Sequence, residues 1–436
     1  MYQLDDEFRN QGRLRQSASS SPHPVRICIL GGGFGGLYTA LALSKFGKLP
    51  SVKYEITLVE QRDHFLFTPL LYEVVTGELQ AWEIAPDYKK LLANTNVQFC
   101  QTEIQGVDLK QQLVQLDNRT LTYDYLVLAV GKQTWLDGVP GAKEYAQTFR
   151  TLADAEHLKE KLRFLAVSNR SVISVGIVGA GPNGVELACK LADRLKHRGK
   201  IHLIDRGDGI LKTFSQGSQV AAYRALAKRG VHLELDTSIE AIAPDAITLN
   251  TQGNTRKLKT DLVLWTAGNQ SIPWICELDC QHNPQGLLIT SPTLQLVEYP
   301  NVLVLGDLAD IRDHRGNPIP ATAQVAFQQA PHAARNLWAM LRGRPLKSFR
   351  YLHLGEMLTL GTNNAVVSSF GITIDGHLGR IIRRGVYIQR LPTFKHQLQV
   401  AMRWLINGIF KRLPSGIKRL LRSYWRRQRH QRKSIN

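Results

Sequence analysis

The chain has 436 residues, more than one hydrophobic core usually serves, and its 43% hydrophobic and 21% charged residues mark it as globular, with two or three packed units expected. A net charge of +19 suggests nucleic acid or a membrane until it is mapped along the chain. No acidic residue follows Asp375, residues 376–436 carry 16 Lys and Arg, and the remainder holds 39 basic against 36 acidic, so the body is near neutral and the tail is the cation.

Residues 1–24 are polar, contain Asp5, Asp6 and Glu7, and lack the apolar run of a signal peptide; a short disordered leader is expected there. The apolar run VRICIL (25–30) then enters GGGFGG and LYTALALSKF, which reads as strand, glycine turn and helix. Gly31 makes the turn, Gly33 lets a pyrophosphate approach the backbone, Phe34 lies inside the motif, and Gly36 lets the helix pack closely on the strand. The next strand, YEITLVE, ends in Glu60, at the distance where a carboxylate accepts from ribose hydroxyls. A lone glycine fingerprint is weak evidence; the flanking strand, helix and terminal acid give it weight.

The same unit recurs in SVGIVGAGPNGVELACKLADRL, with Gly179, Gly181 and Gly184, and its second strand KIHLID ends in Asp205. Two such units imply two dinucleotides, and the natural pair is FAD with NADPH or NADH. The segments YDYLVLAVG, closing on Gly131, and DLVLWTAGN, with Gly268, read as strands that return the chain between two domains. NVLVLGDLAD has the form of a strand closing an FAD domain, with Asp307 placed to bond the ribityl chain. Thr322 is positioned to cap a helix beginning at Ala323 and containing Pro331. From Lys395, apolar residues recur at helical spacing up to Phe410, and again from Ile417 to Tyr424 beyond Pro414 and Gly416. Two basic amphipathic helices with an apolar face bearing Trp404 and Trp425 are expected, suited to an anionic membrane surface. A dimer contact and a solvated basic extension are the other readings of this tail. No nucleic-acid fold accompanies it, so nucleic acid is not an expected partner. Cys276, Cys280 and His282 lack a fourth ligand, and no metal site is expected.

The expected architecture is α/β, with two Rossmann-like dinucleotide-binding domains and a C-terminal amphipathic membrane-association region. An FAD domain spans 25–150 and is completed by 271–345, a nicotinamide domain spans 151–270, and residues 346–436 form the C-terminal region.

Three stretches, HFLFTPLLYEVVTGEL (64–79), GAGPNGVE (179–186) and AQVAFQQA (323–330), resemble the type II NAD(P)H dehydrogenases among the two-dinucleotide flavoproteins, over roughly residues 25–410. GELQAWEIAP (77–86) resembles in addition the cyanobacterial and plastid branch of demethylphylloquinone reductases. The resemblance implies that Gln324, Gln328 and Ala323 lie at a quinone pocket beside the flavin, that Thr68 and Pro69 lie against the flavin, and that Glu186 lies near the nicotinamide. An amide suits both quinone and quinol because it donates and accepts. From the residues alone, the glutamines could equally bond backbone, and Glu186 could bond its own helix start. Asp205 favours the ribose diol of NADH whereas Arg206 could grip the 2′-phosphate of NADPH; the branch resemblance points to NADPH.

The function so implied is FAD-dependent reduction by NAD(P)H of a membrane prenylated quinone, demethylphylloquinone foremost and plastoquinone second, without proton pumping. The protein would lie as a monotopic peripheral protein on the cytoplasmic face of a plasma or thylakoid membrane, as a homodimer if it follows the family. A sulfide:quinone oxidoreductase would need redox cysteines at the flavin, and none has a recognisable placement. A non-catalytic membrane sensor is the third reading.

Overall fold

The computed structural model describes residues 23–46, 53–168 and 170–412. The leader, the second tail helix and Trp425 lie almost wholly outside these residues. The chain divides into two compact units, one formed by Met1–Gln61, Asn94–Gly131 and Pro273–Arg350, the other by Arg62–Ala93, Lys132–Ile272 and Tyr351–Asn436.

In the first unit the strand Val25–Leu30 has neighbours on both edges, and its residues from Ile27 to Leu30 are no more than 2% exposed. A strand covered on both faces must be apolar throughout, which is why this one reads as a continuous run. The sheet runs Val302–Val304, Tyr125–Leu128, Val25–Leu30, Tyr54–Glu60 and Val97–Gln101, all parallel. From the first strand the chain moves toward one edge and later returns to the other, so the carboxyl end of Val25–Leu30 is a topological switch point. The helices Phe34–Leu43 and Ala323–Met340 pack together, with Tyr38 edge-on to Phe327 at 4.9 Å. Thr322 caps the second of them, its hydroxyl accepting from the Val325 N–H at 3.3 Å, and Pro331 lies inside it.

The second unit repeats the plan. Its parallel sheet runs His232–Glu234, Gly199–Ile204, Ile173–Val178, Leu262–Trp265 and Ala146–Thr148, and the helix Pro182–Leu195 follows the central strand. An antiparallel sheet of Glu356–Thr359, Ala365–Ser369 and Ile372–Ile374 leads into the helices Gly376–Arg390 and Phe394–Arg412. The last is the first expected amphipathic helix. Its Trp404 corrects the sequence reading: the indole N–H is turned inward and donates to the buried Glu83 carboxylate at 2.8 Å. His396, on the same inner face, bonds the Glu83 carbonyl at 3.0 Å. The outward row is Phe394, Leu398, Met402, Leu405 and Ile406, each at least half exposed. No helix among the described residues is long and apolar enough to cross a membrane.

Candidate functional site

Each central strand is followed by a position that only glycine can occupy. Gly31 and Gly179 have φ of +93° and +102°, and a Cβ on Gly31 would meet the Ala129 carbonyl. Gly36 and Gly184 face the carbonyl oxygens of Gly31 and Gly179 so closely that a Cβ would overlap them. Gly33 and Gly181 are different. Each is the residue before the first helical turn, and a Cβ there would meet no atom within 4 Å. Such a cradle, with open space at the start of a helix, is what a pyrophosphate needs, so both units fit a dinucleotide.

The acids that end the second strands anchor these turns. One Glu60 oxygen accepts from the Gly32 N–H at 2.9 Å in a buried position. Asp205 accepts from Ala180 N–H at 2.7 Å through one oxygen and from Gly207 N–H at 2.8 Å through the other. Arg206 is exposed beside it. Asp307 lies in the short turn Gly306–Leu308, and the Gly306 N–H is held by the Gln329 side chain at 2.6 Å. Gln324 and Gln328 are half-buried on one face of the Ala323–Met340 helix. Gln329, passed over in the sequence, is 1% exposed and its side-chain oxygen accepts that bond from the Gly306 N–H. Gly131 and Gly268 both take φ of +70° just after their strands. Thr68 opens the turn Thr68–Leu70 and is exposed; the Pro69 carbonyl accepts from Arg383 at 2.7 Å.

Glu186, 5% exposed, accepts from the Thr359 N–H at 2.7 Å and stands 3.4 Å from an Arg383 nitrogen. Burial raises its carboxyl to about 7, against the opposing pull of Arg383 and the Thr359 amide. Glu73, Lys190 and Arg383 complete this cluster, and sequence reading found none of them. Lys190 carried a signal, being one helical turn from Glu186; Arg383 carried none.

Cys28, Cys189 and Cys280 are not arranged for thiolate chemistry. Burial pushes Cys28 and Cys189 up to about 12 and Cys280 up to about 11, the opposite of what a nucleophilic sulfur requires.

Two glycine-cradled sites on two parallel sheets define an oxidoreductase that works with FAD and NAD(P)H. Residues 25–330 match the pyridine nucleotide-disulphide oxidoreductase family. The demethylphylloquinone reductase NdbB of Synechocystis is 46% identical over 385 residues, 87% of this chain and 95% of that protein. The alternative NAD(P)H-ubiquinone oxidoreductase C1 of Arabidopsis thaliana is 38% identical, over 87% of this chain and 80% of its own. Among solved structures, NDH2 of Plasmodium falciparum in complex with NADH has a TM-score of 0.77 at 20% identity, covering 87% of this chain and 97% of that one, a likeness of fold. The chain belongs to the pyridine nucleotide-disulphide oxidoreductase family and, within it, to the type II NAD(P)H:quinone oxidoreductases.

Proposed function

We propose that the protein is a membrane-bound NAD(P)H:quinone oxidoreductase whose acceptor is a prenylated naphthoquinone of the demethylphylloquinone type, with plastoquinone as a second acceptor. The two open glycine cradles carry this reading, and relatives named for quinone reduction support its acceptor half. NAD(P)H and FAD supply the redox chemistry, so that NAD(P)H, one proton and quinone give NAD(P)⁺ and quinol.

The residues of the chain bind and align. Gly31, Gly33, Gly36 and the Phe34–Leu43 helix start would hold the FAD pyrophosphate, with Glu60 and Asp307 reading its ribose and ribityl hydroxyls. Gly179, Gly181 and Gly184 would hold the nicotinamide cofactor. Both Asp205 oxygens already accept backbone N–H groups, while Arg206 is exposed, which supports use of NADPH beside NADH. Glu186 would sit by the nicotinamide and align it. The Gln324 and Gln328 amides would donate to quinone and accept from quinol, and the helix start at Ala323 would favour negative charge on the reduced ring.

The outward apolar row of the Phe394–Arg412 helix, in a segment without acidic residues, supports a peripheral position on an anionic surface, where a prenylated substrate resides. Purified protein given NADPH and a prenylated naphthoquinone in liposomes should form one quinol per NADPH oxidised. Oxidation of NADPH with no quinol formed would refute the acceptor.

A further inference from the structure

Four charged side chains that no motif joins meet inside the second unit. Glu73 comes from the Leu71–Val75 helix, Glu186 and Lys190 from Pro182–Leu195, and Arg383 from Gly376–Arg390; all four are 5% exposed or less. The guanidinium is divided unequally. It lies 2.6 Å from Glu73 but 3.4 Å from Glu186, and its second arm also serves the Pro69 carbonyl at 2.7 Å. Lys190 pairs with Glu78 and stands 4.0 Å from Glu73.

A buried charge persists only where partners compensate it. Glu73 has two cations, and although burial works to raise its carboxyl, Arg383 and Lys190 outweigh that and hold it below the ordinary value. Glu186 has the long arm of Arg383, one backbone N–H and only the weaker pull of Lys190. The remaining groups facing it, Tyr72, Tyr387 and Cys189, are kept protonated by burial and do not compete for its proton.

We propose that Glu73 is a positioning residue for the reaction: by holding Arg383 it leaves the Glu186 carboxyl free to gain and lose a proton, so that the charge Glu186 presents to the nicotinamide depends on pH. The inference rests on the reading that Glu186 lies beside the nicotinamide. Loss of hydride leaves that ring positively charged, so an ionised Glu186 favours the step and a protonated one does not.

The test is an infrared titration of the buried carboxylic acid band in the FAD-loaded protein, with Glu186→Gln assigning the band, beside the pH profile of anaerobic flavin reduction by NADPH. Glu73→Gln removes a nearby negative charge and releases Arg383 toward Glu186. The band midpoint should fall by about one pH unit or more, with the acid limb of the reduction profile moving the same way. Glu73→Asp should keep the wild-type midpoint, and Glu73→Met gives the same reading as Glu73→Gln if the latter does not fold. A midpoint unmoved in both neutral variants, or a reduction profile that stays while the band moves, would overturn the proposal. A band that moves in a protein no nicotinamide reduces would sink the assigned function and leave the coupling of Glu73 to Glu186 standing.

Discussion

At the scale of single residues, open space is the most informative observation. Alanine at Gly181 has room in the folded chain but would stand where a pyrophosphate approaches. Gly181→Ala should therefore fold with wild-type stability and retain FAD while losing reduction by either nicotinamide; a normal reduction rate would remove Gly181 from the site. Gln324→Ala should lower the rate of flavin reoxidation by quinone by a factor of about five to ten, the worth of one neutral hydrogen bond. Reduction by NADPH should be unaffected, and rapid mixing separates the two halves. The turn glycines Gly31 and Gly179, the close-packed Gly36 and Gly184, and the Thr322 cap were legible in the sequence because each does a local job at a fixed offset from its strand or helix. The bonds of Glu60 and Asp205 to the turn backbone were not read there. Arg383 was not legible either, because its partner Glu73 lies 310 positions away and nothing local announces a pairing across that distance.

At the scale of elements, the strands Val25–Leu30 and Tyr54–Glu60 have the limits the sequence suggested, and the first, buried on both faces from Ile27 to Leu30, leaves a continuous hydrophobic trace there. The Phe394–Arg412 helix was legible as a helix but not in its facing. Helical spacing fixes which residues share a side; only the partner decides which side is inward, and Glu83 holds His396 and Trp404 there. Trp404→Phe would strip a donor from a buried carboxylate and should cost about 1–3 kcal/mol in chemical denaturation. Leu398→Glu with Leu405→Glu changes residues 50% and 67% exposed. That pair should leave the denaturation midpoint alone and lower binding to anionic liposomes by at least about 100-fold, each lost leucine being worth about 1.5–3 kcal/mol. Undiminished liposome binding would take this face away from the membrane.

At the scale of the whole molecule, the buried cluster links stability to pH. Burial raises the Glu186 carboxyl to about 7, so the fold favours its protonated form. Its contribution is whole below the ordinary glutamate value and is lost as the pH climbs through about 7. Melting temperature should decline across that window in the wild type and decline less in Glu186→Gln. The alternation of sheets was legible because each strand, turn and helix repeats one local pattern twice. The Gly376–Arg390 helix, which brings Arg383 into the second unit, was hidden within a segment that composition marked only as basic.

The most direct test of the central claim is to mix the FAD-loaded protein with NADPH, and separately with NADH, anaerobically and without quinone, and then to add a prenylated naphthoquinone. Nicotinamide should bleach the flavin and excess quinone should restore its colour, with one quinol formed per nicotinamide oxidised. A flavin that neither nicotinamide bleaches would contradict that claim.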